Sequence, residues 1–251
     1  TDGGQHDPCG RDARTTTIAQ AASLIPNSEF RIPNSKNVSS YGRIMKPQHT
    51  LGRATTPDGG EIVLYERDGA YFIRVNGLEL MTSRAHGSEE DLARLALAKV
   101  RRQEPRVLVG GLGMGFTLRA VLDVVSTSAK VMVAEILPAV IAWNRNELAH
   151  LARSPLEDPR VAVVERDVAE IIAAGPSAFD AVLLDVDNGP EAFTVAENQR
   201  LYGLSGLASI HRCLRPDGVL GVWSADPDRA FEKRLVKAGF KISTETVPAA
   251  T

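Results

Sequence analysis

The chain has 251 residues, of which 43% are hydrophobic and 24% charged, close to the averages of a soluble globular protein. Its 29 basic residues are nearly balanced by 31 acidic ones, for a formal net charge of −2, so the basic excess of a general nucleic-acid binder is missing. No apolar run of about 18 residues is present to cross a membrane, and the first residues lack the apolar core of a secretory signal. Cys9 and Cys213 lie far apart and outside any C-x-x-C pair, so neither a metal site nor a disulfide framework is expected. A cytoplasmic enzyme or binding domain follows, acting on a small molecule, with no nucleic-acid or membrane partner.

The chain opens on Thr1 rather than Met, which reads as a start with residues removed. Residues 1–55 are rich in Gly, Asn, Ser, Thr and Pro, with one apolar patch from Ile18 to Ile25. They read as an irregular arm with one helical turn at most. A small antiparallel domain follows over 56–85. E-I-V-L-Y-E-R, A-Y-F-I-R-V and L-E-L-M are separated by Asp68-Gly69 and Asn76-Gly77. Both dipeptides suit the two positive-φ positions of a type I′ hairpin turn, so a three-stranded meander is predicted. Such a meander is too small to stand alone and must pack on a neighbour.

Residues 86–251 switch to apolar strands alternating with amphipathic helices. A helix starts near Ser88, read as its cap, with Glu89 and Glu90 in the first turn where the helix dipole favours acidic groups. His86 lies in the loop before it. Strands are predicted at 106–110, 131–135, 161–165, 181–185 and 219–223, with helices near 116–125, 138–150, 168–174, 197–213 and 227–238. That order means a doubly wound, mostly parallel α/β sheet covered on both faces, whose ligand binds at the carboxyl ends of the strands.

Those ends carry the chemistry. Gly110-Gly111-Leu112-Gly113-Met114-Gly115 leads into a helix, and glycines there allow a tight turn and close approach of a ligand. The next strand ends in Glu135, placed to accept hydrogen bonds from ribose hydroxyls. Asp167, after the third strand, is within reach of an adenine amino group. Asp185, Asp187 and Asn188 follow the fourth strand in the run D-V-D-N-G-P. The spacing G-x-G-x-G differs from the dinucleotide pattern and accompanies S-adenosylmethionine (AdoMet) more often than a nicotinamide. No P-loop motif is present.

Taken together, the meander and the runs V-L-V-G-G-L-G-M-G-F-T-L-R, V-A-E-I-L-P-A-V, D-P-R-V-A-V-V-E-R-D, F-D-A-V-L-L-D-V-D-N-G-P and L-R-P-D-G-V-L resemble the spermidine synthase family over about residues 60 to 240. Those enzymes join a small β-domain to an AdoMet-type α/β domain and transfer an aminopropyl group from decarboxylated AdoMet. The resemblance implies that Glu135 holds the ribose, Asp167 the adenine side, and Gly111, Gly113 and Gly115 the turn beneath the sulfonium. Asp185 falls on the aspartate that orients and deprotonates the amine. The family's second loop aspartate falls on Asn188, the acidic residue of its glycine turn on Met114, and its tyrosine and neighbouring amide or imidazole on Ser88 and Glu89.

Both substrates of aminopropyl transfer carry ammonium groups, which need carboxylate partners when desolvated. With neutral Met114 and Asn188 at two carboxylate positions, the expected activity is methyl transfer from intact AdoMet to a small molecule. Met114 is then a neutral cofactor-facing residue, Asp185 the first candidate base, and Asp187 and His86 the next. Glu89, Asn188 and Tyr202 are candidate acceptor contacts. Aminopropyl transfer with decarboxylated AdoMet is the alternative, and a non-catalytic nucleoside-binding protein the third reading. The resemblance further implies a strand hairpinned to 240–247, where the chain stops at Thr251. That place falls to an absent segment or to another part of the chain, and an open edge there favours a homodimer.

Overall fold

The computed structural model describes residues 14–22, 48–185, 200–224 and 228–248. Two sheets organise them. The smaller is an antiparallel sheet of β2 (His49–Thr55), β3 (Glu61–Arg67), β4 (Ala70–Val75) and β5 (Leu78–Thr82), in that order. Its last two turns are those read from the sequence. Asp68 and Gly69 have φ of 55° and 71°, and Asn76 and Gly77 of 50° and 81°, the left-handed pair that a type I′ turn requires.

The larger sheet has seven strands in the order β11-β1-β10-β9-β6-β7-β8. They are β1 (Arg14–Ala22), β6 (Arg106–Gly110), β7 (Lys130–Glu135), β8 (Val161–Glu165), β9 (Phe179–Leu184), β10 (Leu214–Ser224) and β11 (Phe240–Pro248). All pairings in it are parallel. The expected α/β architecture after a β-meander is therefore present.

Two strands lie within the stretch read as irregular. β2 extends the meander to four strands. The segment read as at most one helical turn contributes β1, which sits between β10 and β11, with Arg14 opposite Phe240 and Thr15 opposite Val219. The run Thr15-Thr16-Thr17-Ile18 is β-branched, and such residues favour an extended chain. The place beside β11 assigned to a closing hairpin strand is thus taken by the N-terminal segment, in parallel.

Alternation along the strands divides the core. Val107, Val109, Val131, Val133, Ala181, Leu183 and Val219 face one cluster, which includes the meander, α1 (Gly87–Leu97), α2 (Phe116–Val124) and α3 (Pro138–Arg145). Leu108, Ala134, Val182, Leu184, Leu220 and Val222 face the other, covered by α4 (Val168–Ala173), α5 (Leu204–Cys213) and α6 (Arg229–Lys237). Successive side chains of a strand point to opposite faces, so one residue of slip would exchange the two sets. The meander docks where β2 meets α3. A Cβ on Gly52 would overlap the Trp143 indole, so only glycine lets the strand approach this closely.

Candidate active site

The carboxyl ends of β6, β7 and β9 converge beside the N-termini of α1 and α2. β6 runs out at Gly110 into a turn in which Gly111, Gly113 and Gly115 have φ of 88°, 51° and 85°, and Gly115 caps α2. The Gly111 amide donates to the Ala134 carbonyl at 2.9 Å, and the Gly115 amide to Leu112 at 2.8 Å. Glu135, buried at the end of β7, joins this turn to the loop that follows. Its Oε2 accepts from the Leu112 amide at 3.0 Å and its Oε1 from the Leu137 amide at 2.8 Å. The carboxylate read as a ribose ligand is therefore clamped at the base of the turn.

Asp185 follows β9 directly. Its amide donates to the Gly110 carbonyl at 2.9 Å, and its Oδ2 accepts from Thr117 Oγ1 at 2.6 Å. Burial, followed by the negative charge of Glu89, pushes its carboxyl up to about 7, while the Thr117 hydrogen bond works against that rise. Glu89 stands in the first turn of α1 with only 8% of its surface exposed. Its Oε2 accepts from Ser88 Oγ at 2.6 Å, and burial raises its carboxyl above the ordinary range. A buried and a half-buried carboxylate thus act on each other here, and among the described residues no Arg or Lys forms an ion pair with either.

His86 flanks the same place. It is the N-cap residue of α1, stacks on Phe116 with ring centroids 4.1 Å apart, and sets Nδ1 2.9 Å from Glu90 Oε1. The cap read at Ser88 moves back to His86, because Gly87 is already helical and the Ser88 hydroxyl is spent on Glu89.

Of the other expected site residues that are described, two lie in the core and one caps a helix. Met114 is 1% exposed and packed in the first core cluster, so it presents no neutral face to a ligand. Asp167 accepts from the Ala169 amide at 2.8 Å as the N-cap of α4, with Arg200 Nη1 3.6 Å away. Tyr202 is buried edge-on against Phe231 at 5.6 Å in the second core cluster. Asp187 and Asn188 lie outside the described residues. Among those described, no group of three or more His, Cys, Asp or Glu is arranged to hold a metal ion, and no helix is long and apolar enough to cross a membrane.

Three neighbours escaped the reading from sequence. Thr117 had a weak signal, being a hydroxyl residue just inside the helix after a glycine turn. Ile136 is 48% exposed beside Glu135, an apolar face left open at a strand end. Asn144, whose side chain meets the glycine turn, had none, since a single polar residue inside a helix forms no pattern.

A family model described as the spermine/spermidine synthase domain matches residues 85–237. Polyamine aminopropyltransferase 2 of Pseudomonas aeruginosa is 34% identical over 54% of this chain and 38% of its own length. A polyamine aminopropyltransferase of Mycobacterium tuberculosis is 32% identical over 89% of this chain and 42% of its own. The chain spans about two fifths of the length of these curated relatives. A solved spermidine synthase from Thermotoga maritima superposes with a TM-score of 0.62 at 23% identity, covering 76% of this chain and 64% of that one, which shows a common fold.

These comparisons correct the expectation of methyl transfer. The curated relatives carry the name of aminopropyltransferases, and burial of Met114 removes the neutral surface expected to face a methyl donor.

Proposed function

Because the chain belongs to the spermine/spermidine synthase family through residues 85–237, we propose that it transfers an aminopropyl group from decarboxylated AdoMet to a polyamine-like amine. One observation carries the reading: Glu89, buried, and Asp185, half-buried, are carboxylates acting on each other without a paired Arg or Lys among the described residues. Desolvated charge of this kind is stabilised by an opposite charge, and both the donor and the acceptor bring ammonium groups. The carboxyl group of intact AdoMet would add negative charge to a site already rich in it.

In this reading Glu135 fixes the ribose, the turn at Gly111–Gly115 supports the sulfonium end, and Asp167 borders the adenine. Glu89 takes over the role that the family gives to an acidic residue in the glycine turn. When bound, the donor supplies an aminopropyl carbon made electrophilic by its sulfonium, which the amine attacks as the carbon–sulfur bond breaks. The protein's own contribution is orientation in line and removal of a proton from the acceptor ammonium. Asp185, with its carboxyl near neutrality, is matched to that transfer. Its anchorage to Thr117 and to Gly110 holds it against the turn. His86 and Asp187 are the next candidates for the proton's path, and Asn188 for acceptor contacts. Homodimer formation belongs to the same reading, supported by the outer position of β11 in the sheet, and sedimentation of the purified protein tests it.

Calorimetric titration with decarboxylated AdoMet and, separately, with AdoMet tests the assignment. Tighter binding of the decarboxylated form is expected, and tighter binding of AdoMet would overturn it.

A further inference from the structure

Gly113, in the middle of the glycine turn, is met from two sides by side chains that do not belong to the turn. Asn144, near the end of α3, is 1% exposed. Its Nδ2 donates to the Gly113 carbonyl at 2.8 Å and to the Val140 carbonyl, one helical turn back, at 3.0 Å. Two carbonyl acceptors fix which way the amide faces. Oδ1 then points toward Gly115, 2.9 Å from where a Cβ on that residue would stand, and has no hydrogen-bond partner among the described residues. From the meander, the Met81 side chain of β5 comes within 2.7 Å of a Cβ position on Gly113.

The helix that carries Asn144 starts directly after Leu137, whose amide holds Glu135. One rigid element therefore grips the carboxylate loop at its beginning and the glycine turn at its end. A buried amide with an unpaired oxygen is unfavourable, and Asn is a poorer helix former than Ala. Packing alone does not account for this residue.

We propose that Asn144 is a positioning residue of the nucleoside site, setting the height of the Gly113 carbonyl and of the turn amides relative to Glu135. The proposal rests on the nucleoside-site reading given above. Asn144 acts through the turn and touches no reacting atom.

The test titrates wild type, Asn144→Ala, Asn144→Asp and Leu235→Ala with 5′-methylthioadenosine, the nucleoside left after aminopropyl transfer, and records the melting temperature of each. Asn144 borders a cavity of about 210 Å³ shared with Arg145, Ala149, Ser154, Leu156 and Glu157, so solvent has room to enter the Ala variant and folding should survive. The Asp variant keeps the shape but sets an acceptor against two carbonyls. Each Asn144 variant should bind the nucleoside about tenfold more weakly. Leu235→Ala, in the core beneath α6, should lower the melting temperature at least as far and leave affinity within twofold. If both Asn144 variants bind within twofold of wild type, or Leu235→Ala weakens binding equally, the assignment of Asn144 is overturned. A wild-type protein that binds no nucleoside overturns the function reading and this proposal together.

Discussion

Thr117 Oγ1 donates a 2.6 Å hydrogen bond to Asp185 Oδ2, tying the first turn of α2 to the residue that follows β9. The bond favours the ionised carboxylate, whereas burial and the charge of Glu89 favour the protonated one. Thr117→Val should therefore move the Asp185 carboxyl above its value of about 7. The rising limb of kcat/KM against pH would shift to higher pH. A limb that stays in place would show that another group controls it.

Asp185→Asn keeps the shape and removes the base. Turnover should fall by roughly 10²–10⁴-fold, the usual contribution of a positioned base, while donor affinity changes little. Full turnover with unchanged acceptor affinity would sink the assignment.

Glu89→Gln removes the charge that helps to raise Asp185. The rising limb should move to lower pH, opposite to the Thr117 variant. The preference for decarboxylated AdoMet over AdoMet should narrow, because one ammonium partner is lost. Calorimetry with both donors reads the second effect independently of the first.

Stability carries the same signature. Asp185 holds its proton to about pH 7 in the folded protein, whereas an unfolded aspartate releases it near pH 4. Between those limits the native state binds more protons, so stability should decline as pH rises through the window. Urea midpoints between pH 4.5 and 8 should show the decline, and Asp185→Asn should flatten it.

The approach of β2 to α3 offers a test of the fold. Gly52→Ala drives a methyl into the Trp143 indole and should cost about 1–3 kcal/mol, as overpacking of a close contact does. Denaturant midpoints measure it. A neutral result would mean that β2 relaxes away from the indole.

What the sequence displays and what it conceals differ in kind. The meander was legible because Asp68-Gly69 and Asn76-Gly77 advertise positive φ, and the central parallel strands because their apolar runs are buried on both faces. Glu135 and Asp185 were legible as acidic residues at strand ends. β1 was not, since Thr15-Thr16-Thr17 within a polar arm reads equally as loop, and pairing with β10 and β11 is a long-range event. β2 was obscured by the register shift between Thr50 and Gly52, which breaks the period-two pattern. The burial of Met114 was hidden because, between two glycines, spacing does not say which way a side chain turns. Asn144 was silent for a related reason: its partner is a backbone carbonyl, and carbonyls leave no mark in a sequence.

The position of β1 also bears on the order of assembly. β10, β9, β6, β7 and β8 pair among themselves, but β11 joins the sheet through β1, so Arg14 must find Phe240 before the last strand is seated. Closing so long a loop carries an entropic cost that contacts repay only afterwards. The crevice around Glu135 and Asp185 takes shape within one continuous stretch of chain, and the far edge of the sheet is expected to zip up behind it, as the slowest step of folding.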